Sequence, residues 1–209
     1  MISSFRPPAK RQLDQFGVTE ETLAKRAGLL AERGFLTDTK LLFLGDYDLT
    51  SLACLPRIKN TELWVLDIDE EVLEVIEKEG KGAVATVSHN LVSPLPKKLK
   101  SSFDGVFTDP PYTPEGVSLF LSRALEALAE GPRSRIFLSY RSLDPVRVKG
   151  VQDVISKLGL AVEELLPRFN EYLNAKTIGN FSDLYILAPT PKSKPLVSGQ
   201  YQGKIYTNE

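Results

Sequence analysis

Cysteine and histidine are almost missing: Cys54 and His89 are the only ones in 209 residues. One cysteine excludes an intrachain disulfide and a cysteine-based metal cluster. One histidine excludes a multi-histidine zinc site and any Ser-His triad built away from His89. No metal is expected. Apolar runs are short as well, well under the roughly 18 residues of a membrane-spanning helix, and the N-terminus lacks a signal pattern. A cytoplasmic protein with no membrane partner is expected. Neither sign of charge dominates, with Lys+Arg 26 against Asp+Glu 27 and a formal net charge of −1. That balance gives no global electrostatic reason to bind nucleic acid, so no such partner is expected. Internal repeats and low-complexity tracts are also missing.

What is present is ordinary for a globular chain, with 42% hydrophobic and 25% charged residues. The length suits one domain with a sizeable core, and a homodimer is left possible. Residues 1–18 are polar and read as an extended lead-in. Thr19 reads as the cap of a helix over 20–33, with Leu23, Ala27, Leu30 and Ala31 at helical spacing and Gly34 as its stop. Continuous apolar runs follow at 41–44 and 63–66, as parallel strands covered on both faces require. Between them, 49–58 reads as a short helix disturbed by Pro56. A helix over 70–79, stopped by Gly80, leads to a strand at 83–87.

The run 103–107 predicts a fourth strand, and a helix from 115 to 129 should end at Gly131-Pro132. Strands at 135–140, 160–166 and 183–188 surround a helix at 146–158, the last two strands pairing as a hairpin. This alternation predicts a doubly wound α/β, mostly parallel seven-stranded sheet of Rossmann-like type over 19–188. Residues 189–209 read as a polar C-terminal tail, with a short strand at 204–206.

Asp109-Pro110-Pro111-Tyr112-Thr113 closes the fourth strand and is the most informative stretch. Neither proline can donate a ladder hydrogen bond, and each restricts the residue before it to extended geometry. The product is a stiff arm carrying a carboxylate, free carbonyls and an aromatic ring. An amine could be held there by Asp109 and a proline-region carbonyl, with Tyr112 beside it. The plainer alternative is a strand end followed by a turn.

Ligands of such sheets bind outside the carboxyl ends of the strands, near the topological switch point. Asp67 stands about twenty residues past the first strand, the spacing of a carboxylate that accepts from ribose hydroxyls. Asp69 reads as a helix cap, Ile68 as a wall for adenine, and Asn90 as an amide facing the adenine edge. His89 reads as a loop histidine and Cys54 as a small core residue. Loops after the first strand usually run Gly-x-Gly, which lets bare backbone approach an anion. Here Gly45 precedes Asp46, Tyr47 and Asp48. Two carboxylates there would repel an anionic tail and favour a cation. S-adenosylmethionine carries a carboxylate at that end, and its decarboxylated form carries only an ammonium. Alternatively, Asp46 caps the next helix and Asp48 faces solvent.

Asp14-Gln15, the 27–34 helix, Gly45-Asp46-Tyr47-Asp48-Leu49-Thr50-Ser51, Asp67-Ile68-Asp69, Pro94-Leu95-Pro96 and Asp109-Pro110-Pro111-Tyr112-Thr113 resemble the branched-chain polyamine synthases. Ser118 to Arg123 and Ser182-Asp183-Leu184-Tyr185 fit the same family. The resemblance implies a class I methyltransferase-like fold. It also implies aminopropyl transfer from decarboxylated S-adenosylmethionine to spermidine, giving a branched polyamine and 5′-methylthioadenosine. Tyr47 stands where that family usually has a third acid, and Asn90 where it usually has Asp. Its winged-helix-like N-terminal domain is not expected within 209 residues.

The implied site has Asp109 as the group that orients and deprotonates the amine, Tyr112 beside the cation, and Asp46 or Asp48 on a remote ammonium. Gly45, Asp46, Asp67, Ile68, Asn90, Asp109 and Pro110 would contact the cofactor. Asp48, Pro111 and Tyr112 would contact the polyamine. Two other readings stay open: an S-adenosylmethionine-dependent amino-group methyltransferase, and a non-catalytic nucleotide- or polyamine-binding module.

Overall fold

The apolar runs become the centre of a sheet because strands covered on both faces cannot alternate with polar residues. In a computed structural model describing residues 1–207, seven strands form it: β1 (Lys40–Leu44), β2 (Glu62–Asp67), β3 (Val84–Ser88), β4 (Gly105–Thr108), β5 (Arg135–Tyr140), β6 (Leu160–Glu171) and β7 (Phe181–Pro189). Their order is β3-β2-β1-β4-β5-β7-β6. β1 to β5 run parallel, and β7 pairs antiparallel with both β5 and β6. The order reverses between β1 and β4, so the switch point lies between Leu44 and Thr108, paired across the two strands.

Among the described residues five α-helices cover the sheet: α1 (Glu20–Glu32), α2 (Thr50–Cys54), α3 (Glu70–Gly80), α4 (Pro114–Ala127) and α5 (Pro145–Lys157). Successive strand side chains point to opposite faces, which divides the core in two. Leu41, Phe43, Leu63, Val65, Phe107 and Phe137 pack with α1, α2 and α3. Leu42, Leu44, Leu66, Val106, Ile136 and Leu138 pack with α4 and α5. Each fully buried leucine of β1 contributes about 1.5–3 kcal/mol relative to an exposed one. Among the described residues no helix is long and apolar enough to cross a membrane.

Several expected boundaries move, each for a local reason. Thr19 and Asp69 cap α1 and α3 as expected, accepting from the backbone N–H groups of Thr22 and Glu71. Gly80 does not stop α3. The helix includes it, the left-handed turn falls on Lys81, and Gly80 packs closely under Leu52. The helix α4 ends before Gly131-Pro132, because Leu128 leaves it to bridge with Phe103. β6 continues five residues past Leu166 through a register shift that absorbs Pro167, carrying Asn170 and Tyr172 back toward the switch point. Residues 204–206 form no strand. Ile205 is instead buried against the α4 face, and its carbonyl accepts from Thr113 Oγ1 at 2.8 Å.

Candidate active site

The carboxyl ends of β1, β2, β3 and β4 surround a cavity of about 920 Å³. Gly45, Asp46, Asp48, Asp67, Ile68, Asn90, Asp109, Pro110, Pro111 and Tyr112 all line it. The residues singled out in the sequence therefore do meet at one place.

The β2 side is held by backbone hydrogen bonds. Asp67 Oδ2 accepts from Asp46 N at 2.9 Å, and Oδ1 accepts from Asp69 N at 2.9 Å. Burial raises the Asp67 pKa against those two donors. Ile68 lines the cavity and is 39% exposed. Asn90 accepts from Val92 N at 3.1 Å through Oδ1. His89 lies in the same loop with Nε2 3.4 Å from Ser93 O.

The first-strand loop departs from expectation. Gly45 takes φ +73°, a conformation that favours glycine and turns the chain out of β1. Asp46 then points back, accepting from Thr50 N at 2.8 Å and Ser51 N at 3.0 Å. It is the cap of α2 and not an open carboxylate, and burial pushes its pKa to about 7 despite those donors. Asp48 does not face solvent either. Its carboxylate accepts from Val18 N at 2.8 Å and from Arg26 Nη1 at 2.8 Å, so it is not a free ligand for a remote ammonium. Tyr47 is half-buried, and its hydroxyl donates to Pro7 O at 3.1 Å.

Arg26 went unnoticed in the sequence and is central to the site. It is 1% exposed and reaches the cavity from α1. Nη2 lies 2.7 Å from Asp109 Oδ2, Nε donates to Asn170 Oδ1 at 2.8 Å, and the guanidinium stacks 5.0 Å from the Phe107 ring. Burial opposes its charge, but Asp48 and Asp109 outweigh that and raise its pKa above the ordinary value.

The lead-in is not a loose extension. Lys10 Nζ and Gln15 Nε2 reach Asp69 at 2.6 and 2.8 Å, and Arg6 donates twice to Asp48 O.

On the β4 side, Asp109 leaves the strand just before two buried prolines. Tyr112 donates to Asp109 Oδ1 at 2.9 Å and Tyr172 to Oδ2 at 2.6 Å. Burial raises the Asp109 pKa, while Arg26 acts in the opposite direction. Thr113 caps α4 through Gly116 N at 2.9 Å, which fixes the arm to the helix behind it.

The family model of the branched-chain polyamine synthase A C-terminal domain matches residues 1–203. The chain belongs to this family. An uncharacterized protein of Methanocaldococcus jannaschii is 40% identical over 205 residues, covering 97% of this chain and 51% of that protein. The N(4)-bis(aminopropyl)spermidine synthase of Thermococcus kodakarensis is 33% identical over 180 residues, covering 83% of this chain and 51% of that enzyme. The branched-chain polyamine synthase of Thermus thermophilus, in complex with N4-aminopropylspermidine and 5′-methylthioadenosine, superposes with a TM-score of 0.85 at 25% identity. That match covers 99% of this chain and 66% of the other. The chain spans about half the length of the curated relatives it matches. Methyltransferase structures match at 17% identity or below, a likeness of fold alone.

Proposed function

We propose that this chain carries an aminopropyltransferase site, with decarboxylated S-adenosylmethionine as donor and a polyamine such as spermidine as acceptor. The observation that carries the reading is Asp46. Its carboxylate occupies the Thr50 and Ser51 N–H groups, the donors an anionic tail would otherwise use. A donor bearing a carboxylate would find no receptor there and would meet a buried acid. A donor ending in an ammonium meets no such conflict. The named activities of relatives in the same family agree with this reading.

In this reading Asp67 accepts from the ribose hydroxyls, Ile68 packs on adenine, and the Asn90 amide donates to a ring nitrogen. Gly45 lets the backbone approach, and the Pro110 region holds the donor from the β4 side. Asp109 receives the acceptor's proton, Pro111 sets the rigid arm, and Tyr112 flanks the nitrogen. Asp48 acts at one remove, by fixing Arg26. The sulfonium is a good leaving group, so the residues chiefly supply a neutral nucleophile and in-line placement.

Incubation with spermidine and each donor in turn, followed by mass spectrometry, tests the proposal. Aminopropyl addition with release of 5′-methylthioadenosine is expected. Methyl addition from S-adenosylmethionine, or binding without either addition, would overturn it.

A further inference from the structure

Asp109, Tyr112 and Tyr172 form a ring of oxygen contacts that is one proton short. Tyr112 Oη lies 2.9 Å from Asp109 Oδ1, Tyr172 Oη lies 2.6 Å from Asp109 Oδ2, and the two phenolic oxygens lie 2.9 Å apart. Burial, then the Asp109 charge, raises both phenols well above their ordinary value, so both keep their protons. Two hydroxyl protons thus serve three contacts while Asp109 is ionised. A third proton completes the ring: Asp109 Oδ1 donates to Tyr112, Tyr112 to Tyr172, and Tyr172 to Oδ2. That sense leaves Oδ2 as an acceptor for Arg26, 2.7 Å away.

Resting on the functional reading above, we infer that this ring takes up the acceptor amine's proton as one unit, with Tyr172 as the positioning residue that closes it. The acceptor ammonium gives one proton to Asp109 Oδ1 and becomes a neutral amine. Its lone pair forms the new N–C bond, and the product nitrogen keeps its remaining proton. The electron pair of the broken C–S bond stays on sulfur, which becomes the neutral thioether of 5′-methylthioadenosine. Once product leaves, the ring returns its proton to water in the cavity. Tyr172 is aimed by Ser182 Oγ at 2.9 Å, itself held by Asn170 Nδ2 at 2.9 Å, so the hydroxyl cannot turn freely. The charged and titratable groups facing Asp109 are Arg26 from α1, Asp48 from the first-strand loop, Tyr112 from its own loop and Tyr172 beyond β6. Of these, Tyr112 and Tyr172 are the neutral donors that can share a proton with it.

Tyr172→Phe keeps the aromatic ring and opens the proton circuit. For aminopropyl transfer to spermidine we expect kcat to fall about ten- to a hundredfold with KM changed by less than about twofold. The acid limb of the pH–kcat profile should move to higher pH, because a hydrogen bond favouring the carboxylate is lost. Ser182→Ala, which keeps the hydroxyl and removes its guide, should move both readouts the same way by less, and it stands in if Tyr172→Phe does not fold. Unchanged kcat and pH profile in both variants would overturn the inference. A carbon-13 titration of the Asp109 carboxyl without substrate separates the ring from the functional reading. An upward shift in Tyr172→Phe supports the ring even if the wild type forms no product, a result that would overturn the functional reading and the catalytic use of the ring. No shift overturns the ring even if the wild type transfers aminopropyl groups.

Discussion

Arg26 Nη2 lies 2.7 Å from Asp109 Oδ2, and Nη1 of the same guanidinium lies 2.8 Å from Asp48 Oδ2. One buried cation therefore ties α1 to the first-strand loop and to the arm at the end of β4, across the switch point. Arg26→Met would leave two carboxylates without their shared partner. Breaking a buried pair in this way costs about 3–5 kcal/mol. Urea unfolding should show a loss of that size, with Arg26→Lys recovering only part because an ammonium lacks the planar fork. Equal stability for Arg26→Met would mean that packing, not the ion pair, holds the arm.

Asp46 makes stability depend on pH in a defined direction. Its folded value of about 7 lies above that of an unfolded aspartate, so the folded chain keeps a proton that the unfolded chain has lost. The stabilising contribution is complete below about pH 4 and is lost as pH rises to about 7, on the order of 3–4 kcal/mol. Asp46→Asn still offers an oxygen to the helix N-terminus but does not titrate. Stability measured from pH 4 to 8 should fall for the wild type relative to this variant. Parallel curves would rule out the buried, protonated cap.

How far the sequence reached depends on what kind of signal each residue left. The runs 41–44 and 63–66 stand out because a doubly covered strand has no polar positions, and Asp109-Pro110-Pro111 stands out because prolines punctuate strands. Arg26 was hidden by habit, since charged residues on helices are read as solvated. Its position was still informative: it shares a helical stripe with Leu23, Ala27 and Leu30, all buried. Tyr172 had no comparable signal. The expected strand stops at Leu166, and only the register shift in β6 returns the chain to the site. The acidic loop was legible as composition but not as geometry, because a carboxylate that caps its own helix and one open to a ligand have the same sequence.

Two carboxylates should separate kinetically. Asp109→Ala removes the proposed proton acceptor, so kcat should fall by about a hundredfold or more with donor affinity little changed. Asp67→Ala frees the Asp46 and Asp69 backbone N–H groups and removes the expected ribose acceptor. Each lost charged hydrogen bond is worth about 1.5–3 kcal/mol, so donor KM should rise at least about tenfold. Steady-state kinetics with the donor varied checks both, and a reversed pattern would exchange the two roles.

Gly116 sits where α4 meets the arm. A Cβ there would come 2.7 Å from Pro111 O and 3.0 Å from Thr113 Oγ1. The backbone carbonyl cannot swing away as a side chain could. Gly116→Ala should therefore destabilise the fold by about 1–3 kcal/mol and displace the arm. Thermal unfolding and transfer assays should both register the change; unaltered turnover would show that the arm tolerates movement.

In the proposed reading the first-strand loop is closed to an anionic tail because Asp46 fills the N–H groups such a tail would use. Calorimetric titration with S-adenosylmethionine and its decarboxylated form tests it without requiring turnover. The decarboxylated form should bind at least about tenfold tighter, a difference of about 1.4 kcal/mol. Equal or tighter binding of S-adenosylmethionine would contradict it.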